Sequence, residues 1–269
     1  MSESTHANAN ADAWIARMRG CTMELGLPAS FVAETGSTNE DAKIAAAAGV
    51  PHGAVFVAGR QHAGRGRQGR RWEDEAGASL LFSVVLRIPT VPGFLGAVPV
   101  VAGLALAEAL GALSSELDFR VKWPNDVRVN GRKIGGILAE SIAPSASVST
   151  IIVGVGVNVG KMQFTPELAG RATSLENEGV SASGLSILED FLRRFGALVS
   201  RVAMHGLSEV RARLALRHEL YGCRIQRSDG VLAIADHIDD EGRLMVRLDS
   251  TTERWSSGEV HLVSGGHAP

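Results

Sequence analysis

DVRVNGRKIGGILAES, residues 126–141, is two strand-like segments about an Asn-Gly pair. Asn130-Gly131 is the strongest short hairpin signal in the chain, because Asn and Gly tolerate the positive φ angles that a two-residue turn demands. It joins DVRV to RKIGGILAES as antiparallel partners and so predicts a sheet rather than a helical bundle. Upstream, FRVKWPNDVRV (119–129) reads as one strand interrupted by Pro124, with a bulge or edge crossing expected there. Downstream, STIIVGVGVNVG (149–160) reads as a further strand. Its side chains alternate, so Val153, Val155, Val157 and Val159 share one face while Gly154, Gly156 and Asn158 share the other. The second face is a backbone floor without side chains, which marks the close approach of a ligand or of another backbone. The segment alone does not choose between those two.

The remaining elements follow from periodicity and punctuation. A short helix is predicted over Ala11 to about Met18, behind about ten residues of disorder-like composition. FVAET (31–35) and AVFVA (54–58) read as strands, with a helix between them. In that helix Ser37 and Glu40 have capping-box spacing, Gly49 stands at the C-terminal position and Pro51 stops the chain. SLLFSVVLRI (79–88) is a strand whose core face is Leu80, Phe82, Val84, Leu86 and Ile88. An Ala/Leu-rich helix near 96–113 is broken by Glu108 and reads as a buried helix short of a membrane span. Helical periodicity returns over 183–202 and 207–220. After Tyr221-Gly222, short β-like segments separated by SDG, DDEG and SSG turns predict a small barrel. The expected architecture is an α+β main domain, a mixed sheet with flanking helices, over 29–220. A tail and short helix over 1–28 precede it, and a small β-barrel over 221–269 follows.

The chain has 269 residues, 45% hydrophobic, with a formal net charge of −2, so it is not a dedicated nucleic-acid binder of the basic kind. Cys21 and Cys223 lie far apart in no metal-like spacing, which fits a reducing cytoplasmic setting. The N-terminus carries neither a basic nor an apolar targeting region. Against that near-neutral background, GRQHAGRGRQGRRW (59–72) concentrates five arginines and four glycines in fourteen residues. Glycine freedom lets backbone N–H groups wrap a phosphate, and arginines supply forked donors to its oxygens. The stretch is neither a Walker-A loop nor a dinucleotide turn. EDE (73–75) reads as a solvated turn balancing the arginines. In RVKWPND, Lys122 offers a point charge for phosphate, and Asn125 and Asp126 offer oxygens of the type that bind Mg²⁺. Lys133 follows the hairpin turn, beside the bare Gly135-Gly136. Ser37, Thr38 and Asn39 stand at a helix N-terminus, where polar or anionic groups are favoured. Composition and spacing reach an anion site beside glycine-floored strands, and no further.

Taken together and in this order, ETGSTN, GRQHAGRGRQGRRW, RVKWPND, GRKIGGILAE and GVGVNV resemble the biotin–protein ligase family, over about residues 31 to 265. The resemblance implies a class II aminoacyl-tRNA synthetase-like catalytic domain and an SH3-like barrel. It implies activation of biotin with ATP to biotinyl-5′-AMP, then transfer to a lysine of a biotin carboxyl carrier domain. Ser37, Thr38, Asn39 and Gln61 would then contact biotin, with Gly64 and Arg65 alongside. Arg67 and Lys133 would act at the carboxylate and α-phosphate, and Gly136, Gly154 and Gly156 would floor the pocket. Arg65, Arg67, Trp72, Lys122, Asn125 and Asn158 would hold ATP or the adenylate, Trp72 over the adenine, and Asn125 and Asn158 would help position Mg²⁺. Arg60, Arg70 and Arg71 keep a supporting or surface reading. Gln68 stands where the family often has arginine. About thirty residues before the catalytic domain leave no room for a DNA-binding domain, so no operator binding is expected, and a monomer or weak homodimer is. A lipoate or octanoate ligase is the nearest alternative, and an Arg/Gly nucleic-acid binder a remote one.

Overall fold

A computed structural model describes residues 25–74, 77–90, 93–142, 147–249 and 251–267. The helix expected over Ala11–Met18 and the thiol of Cys21 lie outside the described residues. Seven strands form one mixed sheet: β1 (Ala29–Thr35), β2 (Val55–Gln61), β3 (Ser79–Pro89), β4 (Phe119–Lys122), β5 (Asp126–Val129), β6 (Arg132–Ile142) and β7 (Val148–Asn158), in the order β1-β2-β3-β7-β6-β5-β4. Only β1 and β2 run parallel, because helix α1 (Thr38–Ala47) carries the chain between them; the other neighbours are antiparallel. Asn130 (φ 50°) and Gly131 (φ 71°) make the expected tight turn between β5 and β6. FRVKWPNDVRV is corrected: it is not one interrupted strand but a hairpin, in which Trp123-Pro124-Asn125 reverses the chain and Val121 pairs with Val127. Proline lacks the ladder N–H, so the chain turns where the sequence pattern continued.

The sheet's two faces differ. Helices α2 (Phe94–Gly111) and α3 (Gly184–His205) cover one, meeting Leu80, Phe82, Val84, Leu86, Val153, Val155 and Val157 in the main core. Phe82 meets Phe191 edge-on, with ring centroids 5.2 Å apart. By length and composition α2 could cross a membrane, which corrects the expectation that it falls short. Thirteen of its 18 residues are nevertheless buried, mainly against the sheet and α3. The opposite face carries α1 over a small cluster, Ala42, Ala46, Ala54, Val85 and Ile152. Beyond the N-terminus of α1 this face is open, and Gly154, Gly156 and Asn158 lie there. The helix expected over 207–220 is shorter: a 3₁₀ turn over Leu207–Val210, then α4 (Arg211–Arg217).

A second sheet of five antiparallel strands follows: β8 (Cys223–Arg227), β9 (Leu232–Ile238), β10 (Leu244–Leu248), β11 (Thr251–Trp255) and β12 (Val260–His267), in the order β11-β10-β9-β8-β12. It packs on the first. Trp123, 1% exposed, donates its indole N–H to the Gly242 carbonyl at 2.9 Å, so the turn between β4 and β5 is anchored in the C-terminal sheet.

Candidate functional site

The open face of the sheet forms the floor of a cavity of about 1000 Å³. Its neutral end is built by the start of α1. Ser37 takes the N-cap position (φ −165°), but its side chain makes no capping bond, and Glu40 turns instead to Lys43 and Arg65. The capping box read from the spacing is therefore not formed. Gln61, on β2, does the work across space: its Oε1 accepts the Thr38 backbone N–H at 2.7 Å. An unsatisfied helix donor finds its acceptor in a neighbouring strand, and the Ser37 hydroxyl is left on the cavity wall. Ser83 Oγ stands 2.7 Å from Thr38 Oγ1 and 2.6 Å from Asn39 Oδ1, and Asn39 Nδ2 donates to Glu140 Oε2 at 2.7 Å.

The middle of the cavity is the glycine floor. A β-carbon on Gly154 would overlap Asn39 Oδ1, and one on Gly136 or Gly156 would come within 3.1 Å or 2.7 Å of the Trp72 ring. Trp72 thus lies along the floor, with its indole N–H buried and, among the described residues, unpartnered. Gly64 is not on the cavity wall; it sits behind, where a β-carbon would press on Gln61 Nε2 at 3.2 Å and Trp72 Cβ at 3.3 Å.

The arginine stretch is a closed hairpin in this structure. Arg65 pairs with Arg71, Gly66 donates to the Arg70 carbonyl at 2.7 Å, and Gln68 (φ 58°) and Gly69 (φ 72°) turn the chain. Gln68 occupies the exposed tip. Arg70, read as a supporting or surface residue, pairs with Glu259, which immediately precedes β12, at 2.9 Å. Asp74, read as part of a solvated turn, accepts the Gln61 backbone N–H at 3.1 Å and ties the hairpin's exit to β2.

The far end is cationic: Arg67, Lys122, Arg128, Lys133, Lys161 and Arg171 line it, among Asp126 and Glu259. Lys133 Nζ pairs with Asp126 at 2.6 Å and lies 5.6 Å from the Trp72 ring centroid. Burial pulls Lys122 below the ordinary lysine range, and Arg128 adds to that, while Asp126, Glu219 and Glu259 oppose it. Burial likewise lowers Arg67, with Asp126 opposing and Arg70 assisting. Burial disfavours the charged form of both groups, and an anion brought into this end would offset that cost.

The donor set does not fit a resident metal ion. Asn125 Oδ1 faces Arg67 Nη1 at 3.5 Å while its amide nitrogen donates to the Ile137 carbonyl, and the Asn158 amide nitrogen donates to the Thr173 carbonyl. No group of three or more His, Cys, Asp or Glu converges among the described residues. Two amide oxygens, one already facing a guanidinium, are a poor shell for Mg²⁺, which demands near-octahedral oxygen ligation.

Sequence reasoning missed Ser83, Glu140, Arg128, Glu259 and the 161–172 loop, with Met162, Phe164 and Leu168 on its apolar side. Ser83 and Glu140 look like ordinary strand residues, and the loop carries no motif. The only available signal was the strand register, which puts Ser83 opposite Gly154.

The biotin/lipoate A/B protein ligase family model matches residues 35–158. The biotin–[acetyl-CoA-carboxylase] ligase of Mycobacterium tuberculosis is 36% identical over 86% of this chain and 88% of its own length. That of Paracoccus denitrificans is 33% identical over 81% and 93%. The Aquifex aeolicus biotin protein ligase in complex with biotin and ATP superposes with a TM-score of 0.74 at 26% identity, covering 88% of this chain and 99% of that one. The mixed sheet is accordingly the class II aminoacyl-tRNA synthetase-like fold of those ligases, and the C-terminal sheet their SH3-like part.

Proposed function

Since this chain belongs to the biotin–protein ligase family, we propose that it activates biotin with ATP and transfers biotin to a lysine of an acyl-CoA carboxylase carrier domain. The observation that carries the reading is a single cavity with three successive chemistries: a neutral hydrogen-bonding end, a floor without side chains, and a cationic end. Its volume suits a small acid and a nucleotide held together. In this reading Ser37, Thr38, Asn39 and Gln61 take the ureido ring, Gly154 makes room for Asn39, Gly136 and Gly156 seat the Trp72 ring against which the ligand's chain lies, and Arg65 and Arg67 cover it. Lys122, Asn125, Lys133 and Asn158 face the phosphates. The base takes the apolar side of the 161–172 loop; Trp72, lying on the glycine floor, is assigned to the acyl chain rather than to the adenine.

The chemistry needs no covalent enzyme nucleophile. A biotin carboxylate oxygen bonds to the α-phosphorus while the bond to pyrophosphate breaks, and negative charge builds on the phosphoryl oxygens. Lys133 and Arg67 are fixed donors aimed at that charge. The neutral acceptor lysine amine then bonds to the acyl carbon, AMP leaves with the bonding pair, and the amine gives up one proton to solvent. A mixed anhydride is readily hydrolysed, so the hairpin over Trp72 serves to exclude water. Mg²⁺ enters this scheme as the counter-ion of ATP rather than as a resident of the protein. We read the chain as two units, 29–220 for activation and 221–269 behind it, working in the cytoplasm as a monomer or weak homodimer. Incubation with biotin, ATP and an apo carrier domain tests the reading: one biotinyl group on one carrier lysine, seen by mass spectrometry, is expected. An unmodified carrier, or a lipoylated one when lipoate is supplied instead, contradicts it.

A further inference from the structure

A line of polar groups runs from β6 into the neutral end of the cavity, and its chemistry fixes the direction of each proton. Asn39 Nδ2 lies 2.7 Å from Glu140 Oε2 and 3.4 Å from the Leu138 carbonyl. Both partners only accept, so that atom is the amide nitrogen, and Oδ1 faces Ser83 Oγ at 2.6 Å. An amide oxygen only accepts, so the one Ser83 proton points to Asn39. Ser83 Oγ is then the acceptor for Thr38 Oγ1 at 2.7 Å. Gln61 Oε1, 3.2 Å from the same hydroxyl, already receives the Thr38 backbone N–H. The Thr38 hydroxyl proton goes to Ser83 or to the second lone pair of Gln61 Oε1, and in both cases Thr38 Oγ1 offers only lone pairs to the cavity it lines. Water cannot readily reset this order, since Ser83 is 0% exposed and Thr38 and Asn39 are 4% each.

Glu140 is the charged origin of the line. Its other oxygen pairs with Lys43 at 2.7 Å, and Arg65 stands 4.0 Å away. Burial pushes the carboxyl up, but hydrogen bonds from Lys43 and Asn39 and the charges of Lys43 and Arg65 outweigh it and hold the group ionised. We propose that Glu140 is a positioning residue that sets specificity: through Asn39 and Ser83 it makes the Thr38 hydroxyl an acceptor, so that this end of the cavity selects a ligand ring bearing an N–H donor. The inference rests on the reading that biotin's cyclic urea, rather than a ring without N–H groups, occupies this end.

Glu140→Gln keeps the shape and removes the order. The new amide turns its oxygen to Lys43, which only donates, and its NH₂ to Asn39, whose amide then reverses, so that Ser83 donates to Thr38, takes up one Thr38 lone pair and turns the Thr38 proton toward Gln61 or the cavity. Biotin affinity, measured by isothermal titration on the full chain, should fall about 10- to 100-fold, the scale of one buried hydrogen bond left unmade. Adding Lys43→Met frees the new amide to present its oxygen to Asn39 again and should restore most of that loss. Lys43→Met alone should stay within about threefold of the starting affinity, because a partly exposed ion pair contributes little. Ser83→Ala, a second route to the same break, should weaken binding on the same scale and should not respond to Lys43→Met. A merely structural role predicts that the double variant is no better than Glu140→Gln alone, and that outcome overturns the proposal. So does a Glu140→Gln protein that binds biotin like the wild type. Wild-type protein that takes up no biotin instead sinks the functional reading, and this inference with it.

Discussion

The Trp72 indole rests on Gly156 so closely that a β-carbon at that glycine would lie 2.7 Å from the ring. Both residues line the middle of the cavity. Gly156→Ala should therefore destabilise the protein by about 1–3 kcal/mol, the usual cost of overpacking, read as a lower urea midpoint. In a Trp72→Ala background the same substitution should cost far less, because the collision partner is gone. An equal cost in both backgrounds would show that the ring does not lie on the floor.

Lys133 reaches both Asp126, at 2.6 Å, and the Trp72 ring. An ATP phosphate would replace Asp126 as its partner. Lys133→Ala should reduce adenylate formation by about a hundredfold or more, as expected for a preorganised charge donor, with little change in melting temperature. Arg67→Gly should instead release adenylate and label bystander lysines. Near-normal pyrophosphate exchange in the first variant, or a tightly held adenylate in the second, would remove these residues from their roles.

Arg70 and Glu259 join the hairpin to the C-terminal sheet at 2.9 Å. Both are partly exposed, so the pair contributes about 0.2–1 kcal/mol at best, and Glu259→Gln should raise the KM for ATP by no more than about fivefold on that scale. Glu259→Arg opposes two cations and should act more strongly, with Arg70→Glu recovering part of the loss. If the reversed pair recovers nothing, the contact does not steer the hairpin.

His218 lies between the two sheets, 3% exposed, with Nε2 unpartnered among the described residues. Burial drives its pKa from 6.5 down to about 4, with Asp236 opposing and His237 assisting. Between those values the unfolded chain binds a proton that the folded one refuses, so stability falls as pH drops from about 6.5 towards 4 and is unaffected above that window. The loss attributable to His218 reaches about 3 kcal/mol at the acid end. His218→Leu should flatten this part of the stability–pH curve in urea titrations. An unchanged slope would mean that another group carries it.

Much of this was legible in the chain because the relevant signals are local. Asn130-Gly131 announced its turn, the valine/glycine alternation over 153–158 announced two unlike faces, and the arginine stretch announced an anion. What escaped depends on contacts between distant elements. Gln61 caps α1 from 23 residues away, so the capping box inferred from Ser37 and Glu40 had no means of revealing that it is bypassed. Ser83 gains its meaning from lying against Thr38 and Asn39, and Glu259 from reaching Arg70 across 189 residues. The reversal at Trp123-Pro124 was hidden because both arms of the hairpin share one strand-like pattern. The packing of Trp72 on Gly136 and Gly156 is a matter of tertiary fit that spacing does not carry.

The central claim is that the neutral end and the cationic end of this cavity act on one molecule, joining a ring-bearing acid to a nucleotide. Biotin-dependent exchange of radiolabelled pyrophosphate into ATP by the purified chain tests it most directly. The account predicts exchange that starts on adding biotin, is not supported by lipoate, and collapses in Lys133→Ala. Exchange driven by lipoate but not by biotin, or no exchange with either acid, would contradict it.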